Sequence, residues 1–153
     1  MPLLQHLQET ITLEKLQKQF PEAKKVVLFG EGYGPKIQAC GSRYRSAVSF
    51  ILFDVWIDGI WLEKASVMDI ALALDIEHTI RQTIMTTNEV VEFVKSKPKS
   101  YIAEDPTFVM EGVIAHSVPL MLFRYQHTPI MFKLKVRDFK DSNEMDNLQE
   151  YEC

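Results

Sequence analysis

Apolar positions recur every three or four residues at the start of the chain. Leu3, Leu4, Leu7 and Ile11 fall on one helical face, and Leu13, Leu16 and Phe20 repeat the spacing. Thr12 lies between the two sets as a candidate N-cap, and Pro21 closes the segment. The pattern then becomes continuous. Val26, Val27, Leu28 and Phe29 are β-branched or large and read as a buried strand. That run ends in Gly30-Glu31-Gly32-Tyr33-Gly34, a glycine-rich stretch expected to turn, with one carboxylate at the junction. Glycine there permits positive φ or close approach of a ligand. Glu31 is then either aimed from a strand end into a cleft or solvated on a loose turn.

Residues 36–46 form a polar loop in which Arg43, Tyr44 and Arg45 cluster; its arginines either meet an anion or are ordinary loop charges. Residues 47–57 are strongly apolar and predict a second strand, with Asp58-Gly59 as a hairpin turn and Ile60-Trp61-Leu62 returning. Asp54 is a carboxylate inside that apolar run, so it needs a partner or a cleft. Ser66 with Asp69 reads as a capping box opening a helix whose face is Val67, Ile70, Ala71 and Leu74. Thr86 with Glu89 repeats the signal before Val90, Val91 and Val94, and Lys95, Lys97 and Lys99 around Pro98 make a basic exit. The last third reads as β. Residues 108–115 contain Glu111-Gly112 among apolar neighbours. Residues 119–125 and 129–139 look like a hairpin joined through Gln126, His127 and Thr128. In the final strand Phe132, Leu134 and Val136 face one way and Lys133, Lys135 and Arg137 the other. The expected class is therefore α+β, with antiparallel sheets and flanking helices.

Length and composition change this picture little. A chain of 153 residues, 46% hydrophobic and 25% charged, is that of an ordinary globular domain. No apolar run approaches the roughly 20 residues that span a bilayer, and Met1 to His6 has no basic opening of the signal-peptide kind. Cys40 and Cys153 are far apart without metal-type spacing. These points lead to the expectation of a cytoplasmic protein with no membrane partner. The net charge of −4 is concentrated at the end of the chain: from Lys140 onward there are one lysine and five acidic residues. The expected organisation is a domain over 1–139 and an acidic, disordered tail over 140–153.

Three features carry candidate chemistry. Lys133 and Lys135 project from one strand face about 7 Å apart and suit a phosphate or polyphosphate. Glu111 precedes a glycine in a strand, where a carboxylate can reach a metal; divalent cations on phosphates take such oxygen ligands. Phe53, next to Asp54, can offer an aromatic face to a base. The plainer alternatives are the wet face of an amphipathic strand for the lysines, an ion pair with one of them for Glu111, and a core position for Phe53.

In this order the segments resemble the ATP-dependent RNA ligases of the lysine nucleotidyltransferase superfamily, especially the small phage and bacterial type. Phe29-Gly30-Glu31, extended through Gly32-Tyr33-Gly34-Pro35-Lys36-Ile37-Gln38, resembles the third family motif. Phe50-Ile51-Leu52-Phe53-Asp54-Val55 resembles the aromatic-aspartate strand that follows it. Glu111-Gly112-Val113-Ile114 resembles the fourth motif. Phe132-Lys133-Leu134-Lys135 resembles the fifth, with Val136-Arg137-Asp138-Phe139 closing the domain. The resemblance runs from about Leu3 to Phe139. It implies a partial nucleotidyltransferase (ATP-grasp-like) ligase domain, ATP and Mg2+ as cofactors, and RNA ends as substrate, a 5′-phosphate being joined to a 3′-hydroxyl. It implies that Glu31 contacts the ribose and Phe53 stacks on adenine. Glu111 helps hold the metal, and Lys133 and Lys135 stabilise charge on the α-phosphate. Together, Lys133, Lys135 and Glu111 are its catalytic set.

The chain departs from the family at one point. The family's nucleophilic lysine sits in a Lys-x-Asp-Gly motif upstream of the glycine-rich strand, and no such motif occurs here; the nearest look-alike is Ile57-Asp58-Gly59. The expectation is a C-terminal part of a ligase catalytic domain, inactive alone, with a second polypeptide supplying the lysine-bearing segment. The alternatives are a non-enzymatic nucleotide- or RNA-binding module, or a decayed remnant.

Overall fold

The structure is a computed structural model that describes residues 2–38, 41–78, 80 and 83–139. The acidic tail expected over 140–153 and both cysteines lie outside the described residues. The chain divides into two compact units, Met1–Gln82 and Thr83–Cys153. The class is α+β, with antiparallel sheets and flanking helices. Among the described residues no helix is long and apolar enough to cross a membrane.

The first unit opens with α1 (Pro2–Thr10) and α2 (Leu13–Gln19). Thr12 is the N-cap of α2, its hydroxyl accepting from the Lys15 N–H at 3.3 Å. The Lys15 ammonium donates to the carbonyls of Thr10 and Leu74 at 3.0 and 3.1 Å. It thereby places a cation beside carbonyls at the ends of two helices, where the helix dipole favours positive charge.

The sheet follows. Strand β1 spans Val26–Tyr33 and pairs antiparallel with β2 (Ser49–Ile57). It therefore continues through Gly30, Glu31 and Gly32, where a turn was expected. The reason is space rather than backbone freedom. A Cβ on Gly30 would lie 2.3 Å from both the Ile51 carbonyl oxygen and the Phe50 ring, and one on Gly32 would lie 2.3 Å from Leu3. The glycines leave room for the side chains that fill the core, and only Gly34, at φ +113°, takes the left-handed backbone that ends the strand.

The register slips by one residue at Phe29/Gly30: Phe29 opposes Asp54 while Gly30 opposes Leu52, so Phe53 is the extra residue of a bulge. The bulge switches the parity of β2. Phe50 and Leu52 before it and Val55 after it enter the same core. Asp58 (φ 48°) and Gly59 (φ 99°) make the hairpin turn into β3 (Ile60–Trp61). The Asp58 carboxylate fixes that turn by accepting from the Lys24 and Lys25 N–H groups at 3.0 and 2.8 Å.

Between β1 and β2 the polar loop contains one helical turn, α3 (Gly41–Tyr44). Helix α4 (Lys64–Leu74) starts at Lys64, with Glu63 as N-cap and no side-chain cap bond; the expected Ser66 box does not form. Its buried face is the expected one, Val67, Ile70, Ala71 and Leu74. The helix closes with Asp75 in the left-handed region and the Ile76 N–H on the Ala71 carbonyl. A two-residue strand, β4 (Glu77–His78), then adds parallel to β2. One core holds β2, α4 and Ile76, with Leu7, Ile11, Leu16, Phe20, Val26 and Leu28 packed against it.

The second unit starts with α5 (Thr87–Lys95). Its capping box is complete: the Thr86 hydroxyl accepts from the Glu89 N–H, and the Glu89 carboxylate accepts from the Thr86 N–H. Val90 and Val94 are buried, and α5 packs against the two-stranded antiparallel sheet of β5 (Gly112–His116) and β6 (Met131–Lys135). Two expectations are corrected here. The segment 108–111 is not part of β5; Val109 forms an isolated bridge with Lys99. Segment 119–125 contributes only one bridge, Leu122 to Pro129, and β6 pairs with β5 instead. The strand also ends at Lys135. Val136–Phe139 is a 3-10 turn, because the Asp138 carboxylate accepts from the Lys135 N–H at 2.8 Å and holds the backbone in a coil.

Candidate functional site

Alternation along β1 assigns two faces. Val26 and Leu28 pack into the core of the first unit, so Phe29 and Glu31, out of phase with them, belong to the opposite face. Trp56 and Trp61 are cross-strand partners there. The Phe29 ring lies 4.9 Å from the Trp61 ring, tilted by 32°. The Lys25 ammonium stands 5.5 Å from the centre of the Trp56 ring. Phe29 remains 40% exposed, and Glu31 is exposed. This face therefore presents aromatic surface with a solvated carboxylate beside it. Phe53 sits in the bulge and is half-buried. Its carbonyl accepts from the Lys64 ammonium at 2.9 Å. The same ammonium pairs with Asp54, which answers the need of that carboxylate for a partner.

The polar loop's Arg45 is committed within this unit. It donates to Glu77 at 2.7 Å and to the Tyr33 hydroxyl at 2.9 Å. Burial opposes its charge, yet the bonds to Glu77 and Tyr33 outweigh it and hold the guanidinium above its ordinary pKa. Arg45 and Glu77 line a cleft of about 490 Å³ with His6, Ser49, Asp75 and His78. The Nδ1 atom of His78 is buried there without a hydrogen-bond partner. Sequence reasoning found neither the cleft nor the Arg45–Glu77 bond, since 32 residues separate the partners and β4 has no readable pattern.

In the second unit the register of β5 and β6 sets Gly112 opposite Lys135 and Ile114 opposite Lys133. The two lysines share a face, as the period of two predicts. Gly112 has no Cβ because one would lie 2.1 Å from the Leu134 carbonyl oxygen. That close approach brings the residue before it, Glu111, onto Lys135, and their side chains form an ion pair. The Val136 N–H donates to the Glu111 carbonyl at 2.9 Å, fixing the main chain beside the pair. The hydrogen bond from Lys135 holds the Glu111 carboxyl below the usual carboxylate range. Burial opposes this, while the charges of Lys135, Lys133 and Arg137 reinforce it. Lys135 thus pairs with that carboxylate, and Lys133 and Arg137 add positive charge in its neighbourhood. Arg137, which sequence reasoning placed on a strand, lies on the 3-10 turn instead.

Of the sequence-predicted residues, the structure brings together Glu111, Lys133 and Lys135 in the second unit. Glu31 and Phe53 belong to the first unit, on strands that pair with one another. Among the described residues no group of three or more His, Cys, Asp or Glu side chains is placed to hold a metal ion. Glu111 alone fits Mg2+ only as one carboxylate added to the oxygens of a bound phosphate, which is how that ion is often held. No family model, curated protein or solved structure matches this chain.

Proposed function

We propose that this chain is the C-terminal part of the catalytic domain of an ATP-dependent RNA ligase of the lysine nucleotidyltransferase type. The observation that carries the reading is the Glu111–Lys135 ion pair beside Lys133, which shares the face of Lys135 on β6. The two lysines carry a charge surplus over the single carboxylate paired with Lys135. Phosphoryl and nucleotidyl transfers are accelerated chiefly by positioning and by cations on the developing charge. Lys133 and Lys135 would contact the α-phosphate, and Glu111 would meet Mg2+ carried on the nucleotide phosphates. Mg2+, when bound, neutralises phosphate charge.

The reaction joins an RNA 5′-phosphate to a 3′-hydroxyl through AMP carried on a lysine. With no Lys-x-Asp-Gly in these 153 residues, that amine comes from outside them. The setting is cytoplasmic and the partners are RNA ends and a lysine-bearing segment.

Titration calorimetry with ATP and with adenosine, in Mg2+, tests the reading. The double variant Lys133→Ala/Lys135→Ala should lose more affinity for ATP than for adenosine, because the lost contacts are to phosphate. Equal losses would overturn the assignment. Intact mass after incubation with ATP should show no AMP on this chain; an AMP adduct would place the nucleophile within it and refute the external lysine.

A further inference from the structure

The site on β6 holds more than the two lysines. Lys135 makes the ion pair with Glu111, whereas Lys133 and Arg137 act on that carboxylate through space and make no ion pair with a described residue. The Lys135 ammonium is largely covered, with 20% of its side chain exposed, while the Glu111 side chain is 61% exposed. The carboxylate is therefore the outward member of the pair. It sits where an incoming anion would have to meet Lys135. The other facing charge is Asp138, whose carboxylate is turned to the Lys135 main-chain N–H at 2.8 Å.

From this geometry we infer that Lys133, Lys135 and Arg137 form one polyphosphate-binding site, and that Glu111 occupies it as an internal counter-ion which the incoming phosphates displace. The inference rests on the ligase reading for its ligand and goes beyond it in two respects. It assigns Arg137 as a third phosphate contact, and it gives Glu111 a competing role when no divalent cation is present. A chain of phosphates suits the site better than a single one. The two lysines leave the strand about 7 Å apart, and Arg137 lies exposed on the 3-10 turn that directly follows.

The experiment uses the full chain, a chelator in place of divalent cations, and calorimetric titration with sodium tripolyphosphate and with inorganic phosphate. Removing the internal anion by Glu111→Gln should tighten tripolyphosphate binding by about 2- to 5-fold, the range of a largely exposed ion pair. Arg137→Gln should weaken it by a similar factor, and inorganic phosphate should bind more weakly than tripolyphosphate to every form. Circular dichroism of each variant confirms that the fold is kept; Arg137 is exposed on its turn, so its substitution leaves the packing intact. Unchanged or weaker binding by Glu111→Gln would overturn the displacement, and unchanged binding by Arg137→Gln would remove the third contact.

Adenosine and ATP, titrated alongside, separate this inference from the reading beneath it. Tripolyphosphate behaving as stated, with adenosine adding nothing, would keep the anion site and refute the ligase reading. ATP favoured over tripolyphosphate, with an indifferent Glu111→Gln, would do the reverse.

Discussion

Gly112→Ala tests how the Glu111 site is built. The added Cβ would lie 2.1 Å from the Leu134 carbonyl oxygen, 2.7 Å from the Lys135 Cα and 3.0 Å from the Leu134 carbonyl carbon. All three atoms are main chain, so no rotamer change relieves the clash and β6 must move away. Overpacking of this kind costs about 1–3 kcal/mol. Alanine also restricts the unfolded chain, which returns about 0.4–1 kcal/mol where the backbone suits it. The net expectation is a loss of about 1–2 kcal/mol, centred on the β5–β6 ladder. Both tryptophans, Trp56 and Trp61, lie in the first unit, so their fluorescence reports on that unit. The second unit is followed by amide hydrogen exchange at Val113, Leu134 and Lys135, with urea unfolding by far-ultraviolet circular dichroism. Faster exchange at those amides, with tripolyphosphate binding tightened as the Lys135–Glu111 pair loosens, is the expected pair of results. A variant as stable as the parent, with unchanged exchange, would show that the close approach of β5 to β6 is not what positions Glu111.

Two further substitutions address local devices. Asp54→Asn leaves the Lys64 ammonium, in a pair whose side chains are only 17% and 25% exposed, with the Phe53 carbonyl as its remaining partner; urea unfolding followed by tryptophan fluorescence should show a loss of about 1–3 kcal/mol, and no change would mean that Lys64 reaches water instead. Thr86→Ala removes the N-cap hydroxyl of α5 and should cost about 0.5–2 kcal/mol near neutral pH in thermal unfolding. The box also has a definite pH dependence. The hydrogen bond from the Thr86 N–H holds the Glu89 carboxyl below its ordinary value. Its contribution is therefore present above the ordinary carboxylate pKa of about 4.3 and lost as pH falls through the lower folded value. Glu89→Gln and the parent should thus converge in stability below about pH 4, and a gap that widens on acidification would refute the box as the source.

The parts of the fold that could be read from sequence are those whose cause is local. Thr12 and Thr86 with Glu89 act within four residues of themselves, the backbone of Asp58-Gly59 turns locally, and each does in the structure what its position predicts. Where the cause is distant, the pattern misleads. Gly30 and Gly32 look like a turn because glycine is poor in strands. They belong to β1 because Phe50 and Leu3 fill the space their side chains would take. Ser66 with Asp69 is a sound capping box, yet α4 begins two residues earlier, at Lys64, whose side chain pairs with Asp54. The last strand stops short because Asp138 reaches back to the Lys135 N–H, a contact that alternation cannot reveal. The candidate site divides in the same way. That Lys133 and Lys135 share a face follows from the period of the strand. That Glu111 lies against Lys135 follows only from a register joining residues 24 positions apart. The Glu-Gly pair is accordingly a packing signal before it is a chemical one. The glycine lets β6 approach, and that approach delivers the carboxylate to the lysine. Any chemistry performed by Glu111 thus depends on the missing side chain of its neighbour.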